Sequence, residues 1–344
     1  MPTTTPIPSR GLKTITAMTA EGYELPVIDV THPAFAVDDS PEAVGALRAA
    51  FIESERRRKR VPKFVMSLFI GLAARRSLLL RALMRSDAAF LGGLSTYVLK
   101  LGADNLVAPF DDRIDRKVAG SPAGVAIRVR LQQTARLLAQ GLEQDLVARP
   151  GVPLHLINIG GGSAIDSLNA LILLRRSARD ALARPVMIHV LDLDARAPEF
   201  GANALAALRA ADGPLAGQNI CLAHQHYAWD DTEPLARLLD GLSTEPAIIA
   251  ASSEGALFEY GNDDAVIGNL RVLRGHVVRP VTGSVTRADD VTLETLTTSR
   301  FKLVPRGIEK FSALVGRAGY SVVRVEPALL SDQVMLCPDG DLPA

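Results

Sequence analysis

The stretch Leu154-His155-Leu156-Ile157-Asn158-Ile159-Gly160-Gly161-Gly162-Ser163 constrains this chain more than any other. A short apolar run empties into three glycines, and an apolar helical pattern follows over Ala164–Leu182. Glycine enters left-handed backbone without steric cost and lets main chain approach a ligand closely, and the next helix offers free N–H groups. The same alternation continues to the end. Strands are expected at Leu154–Ile159, Met187–Leu191, Asn219–Ala223, Ala247–Ala251, His276–Val281, Ser321–Val325 and Gln333–Leu336. Helices are expected between them at Ala164–Leu182, Gly201–Ala211, Thr232–Leu242, Asp263–Leu273 and Arg306–Ala318. This is the pattern of an α/β sheet built from strand–helix–strand units, with the last two of its seven strands joined directly.

Before Pro150-Gly151 the pattern is different. Apolar residues recur at three- and four-residue spacing in Val44–Ile52, Phe64–Met84 and Ile127–Leu146, so residues 1–150 read as a mainly helical region and 151–344 as the sheet domain. Lys plus Arg and Asp plus Glu both number 38, which gives no electrostatic reason to expect nucleic acid. Arg56-Arg57-Arg58-Lys59-Arg60 could be read as a phosphate or membrane-surface patch, but with that balance and no aromatic interleaving a solvated helix end is the preferred reading. The most apolar stretch, Phe64–Ala74, stops at Arg75-Arg76, short of the roughly 20 residues a spanning helix needs, so no membrane partner is expected. Cys221 and Cys337 lack ligand spacing and cannot form a disulfide framework, and the N-terminus shows no basic start with an apolar core. A cytoplasmic protein with a small-molecule partner is the expectation; the oligomeric state is left open.

The second strand ends on Asp192, with Asp194 two residues on. A carboxylate at that tip accepts from both hydroxyls of an adenosine ribose. Asp192 is the ribose candidate, and Asp194 either shares that role or caps the next turn. A dinucleotide fingerprint would need a third glycine where Ile165 stands. Asn158-Ile159-Gly160-Gly161-Gly162 instead resembles the first motif of class I S-adenosylmethionine-dependent methyltransferases, with Asn in the acidic place. The tail is similar to the same family: Arg317-Ala318-Gly319-Tyr320 looks like its helix ending on Gly-aromatic, and Gln333–Leu336 like its antiparallel seventh strand. The resemblance covers about Leu154 to Cys337. It implies a Rossmann-like, seven-stranded, mostly parallel sheet with an antiparallel last strand, S-adenosylmethionine as cofactor, and Asn158, Gly160, Gly161, Gly162, Asp192 and Asp194 around it. The preceding helices would then serve as a lid.

Two departures from the family matter. Asn158 lacks the negative charge usually placed near the methionine part of the cofactor. From Gly162 to Asp192 there are also about ten extra residues, which a first helix longer by nearly three turns would absorb. Asp166, in that helix's first turn, reads as complementing the helix dipole. After the third strand, His224-Gln225-His226-Tyr227-Ala228-Trp229 falls where the family's adenine pocket lies, with Tyr227 as a ring to flank the base and Trp229 as either that or a core anchor. His224 and His226 have no third ligand at metal spacing, so no metal is expected.

After the fourth strand, Ser252-Ser253-Glu254-Gly255 and Tyr260 leave the sheet beside the reactive sulfonium. Methyl transfer from a sulfonium needs alignment and exclusion of water more than a catalytic triad. His224, His226, Glu254 and Tyr260 are the candidate bases for a hydroxyl or amine acceptor; Glu254 reads equally as a helix-start carboxylate. Gly92-Gly93-Leu94-Ser95-Thr96-Tyr97 is the element expected to face them. Two other readings stay open: aminocarboxypropyl chemistry on the same cofactor, releasing methylthioadenosine, and a non-catalytic partner protein that has kept the fold.

Overall fold

In the strand Leu154–Ile159, alternate side chains serve two cores. Leu154 and Leu156 are buried against one set of helices, and Ile157 and Ile159 against another. A strand buried on both faces is what a parallel sheet with helices on each side requires. The computed structural model describes residues 14–85, 93–298 and 301–340. Its elements run β1 (Thr16–Met18), β2 (Glu24–Pro26), α1 (Pro41–Lys59), α2 (Lys63–Arg76), α3 (Leu78–Arg85), α4 (Gly93–Leu101), α5 (Arg113–Ala119) and α6 (Pro122–Ala148). The sheet region follows with β3 (Leu154–Ile159), α7 (Ile165–Ser177), β4 (Val186–Asp192), α8 (Arg196–Leu208), β5 (Ile220–His226), α9 (Glu233–Leu242) and β6 (Ile248–Ser253). Then come α10 (Leu257–Tyr260), α11 (Asp263–Gly275), β7 (Val281–Thr286), α12 (Asp290–Thr298), α13 (Gly307–Gly316), β8 (Tyr320–Pro327) and β9 (Ser331–Pro338).

Seven strands form one sheet in the order β5-β4-β3-β6-β7-β9-β8. β3 to β7 pair in parallel, and β9 lies antiparallel between β7 and β8. The order reverses at β3, with β4 on one side and β6 on the other, so the carboxyl ends of β3, β4 and β6 surround the crevice where such sheets bind ligands. Helix α6, with Ser121 accepting from the Gly124 N–H and Pro122 in the first turn, packs on α7, β6, β7 and β9. Its residues share one buried cluster with α4, α7, α8 and the β1–β2 hairpin. The last helix of the first half is therefore a layer of the sheet.

Two local expectations are corrected, and one element is added. The first helix ends at Ser177 and gives way to a 3-10 turn at Arg179–Leu182, so the extra residues before β4 form a bend instead of three more helical turns. β7 begins five residues later than His276, because Pro280 interrupts the apolar run and the strand Val-Thr-Gly-Ser-Val-Thr is buried with small polar residues. The β1–β2 hairpin is too short for any periodicity to register; Asn203 on α8 donates to the Met18 carbonyl at 2.9 Å. Among the described residues, no helix is long and apolar enough to cross a membrane.

Candidate functional site

The glycine turn follows β3 with φ of 63° at Gly160 and 52° at Gly162, a left-handed path that the missing Cβ permits. Gly160 and Gly161 also face close neighbours. A Cβ on Gly160 would fall 2.5 Å from Ala256 Cβ and 3.2 Å from the Trp229 ring, and one on Gly161 would fall 1.2 Å from Asn158 Oδ1. Gly162 faces the Cα of Gly93 and the Cβ of Ala197. So α4 meets the turn through Gly93, where that element was expected to face the candidate bases; Gly92 lies outside the described residues. Tyr97 of the same element belongs to the core, its hydroxyl donating to Pro26 O at 2.7 Å.

Asp192 stands at the tip of β4 beside this turn. One carboxylate oxygen accepts from the Gly162 N–H at 2.8 Å and the other from the Asp194 N–H at 3.0 Å. The side chain is partly exposed, and each oxygen keeps a second lone pair. Asp194 takes the capping alternative: it accepts from the Arg196 N–H at 3.1 Å and pairs with that guanidinium, which holds its carboxyl below the usual range against the opposing effect of burial.

Asn158 is wholly buried, and so is not placed to contact a cofactor. Its Nδ2 lies 2.8 Å from Asp166 Oδ1, 2.9 Å from Ser167 Oγ and 3.0 Å from Ser252 Oγ, beneath the turn. Asp166, in the first turn of α7 as expected, is buried with it; burial, reinforced by the charge of Glu254, pushes its carboxyl up toward the neutral form. Tyr227 is likewise removed from the binding residues, since it is 3% exposed and its hydroxyl donates to Asn269 Oδ1 at 2.5 Å. Trp229 is the ring that flanks the turn.

Glu254 meets the same kind of correction. Its side chain is 4% exposed and pairs with Lys100 of α4 and with Arg130 of α6, whose guanidinium also reaches Glu259 at 3.2 Å. Burial alone would raise Glu254, but the charges of Arg130 and Lys100 outweigh it and hold the carboxyl down to about 2. A carboxylate held so low has little affinity for a proton, so Glu254 is a structural anion and a poor base. Gly255, at φ 72°, leaves room for Arg130, whose nearest guanidinium nitrogen would lie 2.4 Å from a Cβ there. Burial pushes the Tyr260 phenol up, so its proton, already held at neutral pH by an ordinary phenol, is held more firmly still.

The two histidines remain. His224 directs Nε2 at the Asp192 carbonyl, 2.9 Å away, and exposed His226 directs Nδ1 at the Leu193 carbonyl, 3.2 Å away. Since a carbonyl can only accept, these nitrogens carry the hydrogens in the neutral rings. His224 Nδ1 and His226 Nε2 are then left as acceptors. Lys100 and Arg130 had no visible signal beyond a lysine inside the apolar run Thr96-Tyr97-Val98-Leu99-Lys100-Leu101.

No protein-family model matches this sequence, and no curated protein matches it. The fold is shared with a solved bacterial protein. That crystal structure, of a Bordetella parapertussis protein described as a "possible exported protein", aligns with a TM-score of 0.55 at 19% identity, over 87% of this chain and 99% of the other. Weaker likenesses are to an aminoriboflavin dimethyltransferase of Streptomyces davawensis, at TM-score 0.39 and 16% identity over 89% of this chain and 74% of the other, and to an O-methyltransferase family protein of Burkholderia thailandensis, at 0.38 and 15% over 67% and 61%. At these identities likeness speaks to fold alone. The fold itself is Rossmann-like with the strand arrangement that the methyltransferase resemblance implies, an antiparallel β9 slotted between β7 and β8.

Proposed function

We propose that the chain binds S-adenosylmethionine at the carboxyl ends of β3, β4 and β5 and transfers its methyl group to a small-molecule acceptor. The observation that carries this reading is the contact of Asp192 with the Gly162 amide, which joins the ribose-type carboxylate to the glycine turn at the point where strand order reverses. The residues fit the adenosine end of the cofactor: the Gly160–Gly162 backbone, the partly exposed Asp192 carboxylate and the Trp229 ring. When bound, the cofactor supplies an activated methyl group together with its leaving group. The chain's part is to align the acceptor and exclude water, with Gly93 of α4 packed on the turn. His226, exposed and with Nε2 as acceptor, is the first candidate to take a proton from a hydroxyl or amine, and His224 the second. Glu254 and Tyr260 frame this end without acting as bases.

A second reading, a cofactor-free partner protein, is favoured by one observation: Gly160 and Gly161 face packed protein atoms that by themselves require glycine. One experiment separates the two. Purified protein is titrated with S-adenosylmethionine and S-adenosylhomocysteine by calorimetry, then incubated with cofactor and candidate acceptors, and the products are chromatographed. Binding with formation of S-adenosylhomocysteine supports methyl transfer. Methylthioadenosine would redirect the reading to aminocarboxypropyl chemistry, and no binding of either ligand would sink it.

A further inference from the structure

Charge is balanced over the whole chain but not along it. Between Arg56 and Arg85 the sequence holds ten Lys or Arg and no Asp or Glu, so the remainder of the molecule is net acidic. The structure spreads this segment over the end of α1, all of α2 and all of α3. Three of the cations are offset: Arg57 pairs with Glu53, Arg58 with Glu55 and Lys59 with Glu294. Arg56, Arg60, Arg75 and Arg76 are exposed, and none pairs with an acidic side chain among the described residues.

Between these basic ends α2 turns apolar surface outward. Phe64 is 76% exposed and Leu72 50%, and Gly71 is exposed beside them. At 100° per residue Phe64, Gly71, Leu72 and Arg75 fall on one side of the helix. Among the described residues, helix α2 packs chiefly against α3, and Phe64 and Leu72 stay exposed on that side. A solvated helix end accounts for the arginines, but not for an exposed phenylalanine and leucine held between two arginine groups.

We infer that α2, with the basic end of α1 beside it, is a docking surface for an anionic lipid bilayer. The charge and the apolar stripe fit such a surface together: arginines at headgroup level meet lipid phosphates, while Phe64 and Leu72 enter the boundary with the acyl chains. The 14 residues of α2 span about 21 Å, less than the roughly 30 Å hydrocarbon core, so the helix lies in the interface and does not cross it. Nucleic acid would use the same cations, but among the described residues the large exposed side chains between them are one leucine and a single phenyl ring, with no row of aromatics to stack bases. The inference stands independently of the cofactor reading, because α2 supplies none of the residues at the glycine turn.

The test is sedimentation of the full chain with vesicles of phosphatidylcholine alone and of phosphatidylcholine with about a third phosphatidylglycerol, at low and high salt. Wild-type protein should partition at least tenfold more strongly onto the anionic vesicles and lose that preference in high salt. Arg75→Glu with Arg76→Glu, and separately Phe64→Ser with Leu72→Ser, should each weaken partitioning roughly tenfold while thermal melts stay at the wild-type midpoint. No preference for anionic vesicles in the wild type overturns the proposal whatever the variants do. So does duplex binding that the serine pair leaves untouched, which would assign the cations to nucleic acid. A concentration-dependent dimer abolished by the serine pair, without vesicle binding, would assign the face to a second copy of this chain and overturn it equally.

Discussion

Gly161 shows how one residue can be fixed by another three positions earlier. Asn158 fills the space its side chain would take, and that amide is in turn held by Asp166, Ser167 and Ser252. Gly161→Ala should therefore destabilise the fold by about 2–4 kcal/mol, because neither the turn nor the buried amide can shift cheaply. Measured by urea denaturation, Asn158→Ala with Gly161→Ala should cost less than the sum of the single changes; strict additivity would show that the contact is not the cause. Asp192→Ala tests the adjoining position. Removing a charged acceptor should cost S-adenosylmethionine and S-adenosylhomocysteine alike about 1.5–3 kcal/mol of affinity, and unchanged calorimetric affinity for both would detach Asp192 from the site. A third prediction concerns the face of β3 and β4 away from α6 and α7, where His155 and His189 stack with ring nitrogens 3.1 Å apart. Burial first, and then the neighbouring ring, lowers His189 from its ordinary 6.5 to about 4. The folded state thus binds the proton less readily than the unfolded chain. The stability gained from the neutral ring is complete above about pH 6.5 and is lost as pH falls toward 4. His189→Gln should flatten the fall of the melting temperature over that window; an unchanged slope would place the proton uptake elsewhere.

At the scale of elements, the ion cluster of Lys100, Arg130, Glu254 and Glu259 ties α4 and α6 to the loop after β6. A buried charge that loses its partner keeps its desolvation cost, so Glu254→Gln should lower unfolding stability by about 3–5 kcal/mol. Glu254→Asp should recover part of this, which neutral scaffolding at that position would not do. The sequence made these elements visible to unequal degrees. Strands β3 and β4 were legible because short, mostly apolar runs between turn signals can hardly be anything else in a strand–helix alternation. β7 was not, since Thr282, Gly283 and Ser284 are buried by tertiary packing that no local hydropathy announces. The break after Ser177 was hidden for a similar reason, as Ala178 and the Arg179–Leu182 turn have helix-compatible residues.

Across the whole molecule, α6 and α7 cover the same sheet face, and a single buried cluster runs from Ala17 through the first half to Ala250. A chain lacking the first 150 residues would expose Leu154, Leu156, Leu168 and Leu171 to water. We expect it to lose cooperative thermal unfolding and near-ultraviolet circular dichroism; a cooperative melt would mean that the sheet region folds alone. The elements that close on the turn, α4 above all, should be slower to proteolyse with S-adenosylhomocysteine bound if they form the proposed lid.

The sequence by itself determined the order of the seven strands and of five helices from Leu154 onward, though not the short α10 or α12, together with the glycine turn and the carboxylate two elements later, because each rests on local rules of backbone freedom and apolar spacing. Tertiary structure alone decided which polar side chains face solvent. Asn158, Tyr227 and Glu254 read as ligand groups along the chain, yet all three are turned inward, and their partners Asp166, Asn269, Lys100 and Arg130 lie from eight to 154 residues away. Burial and ion pairing depend on what the fold brings alongside, and nothing within a few residues of Glu254 announces that two cations from the helical half will hold it ionised.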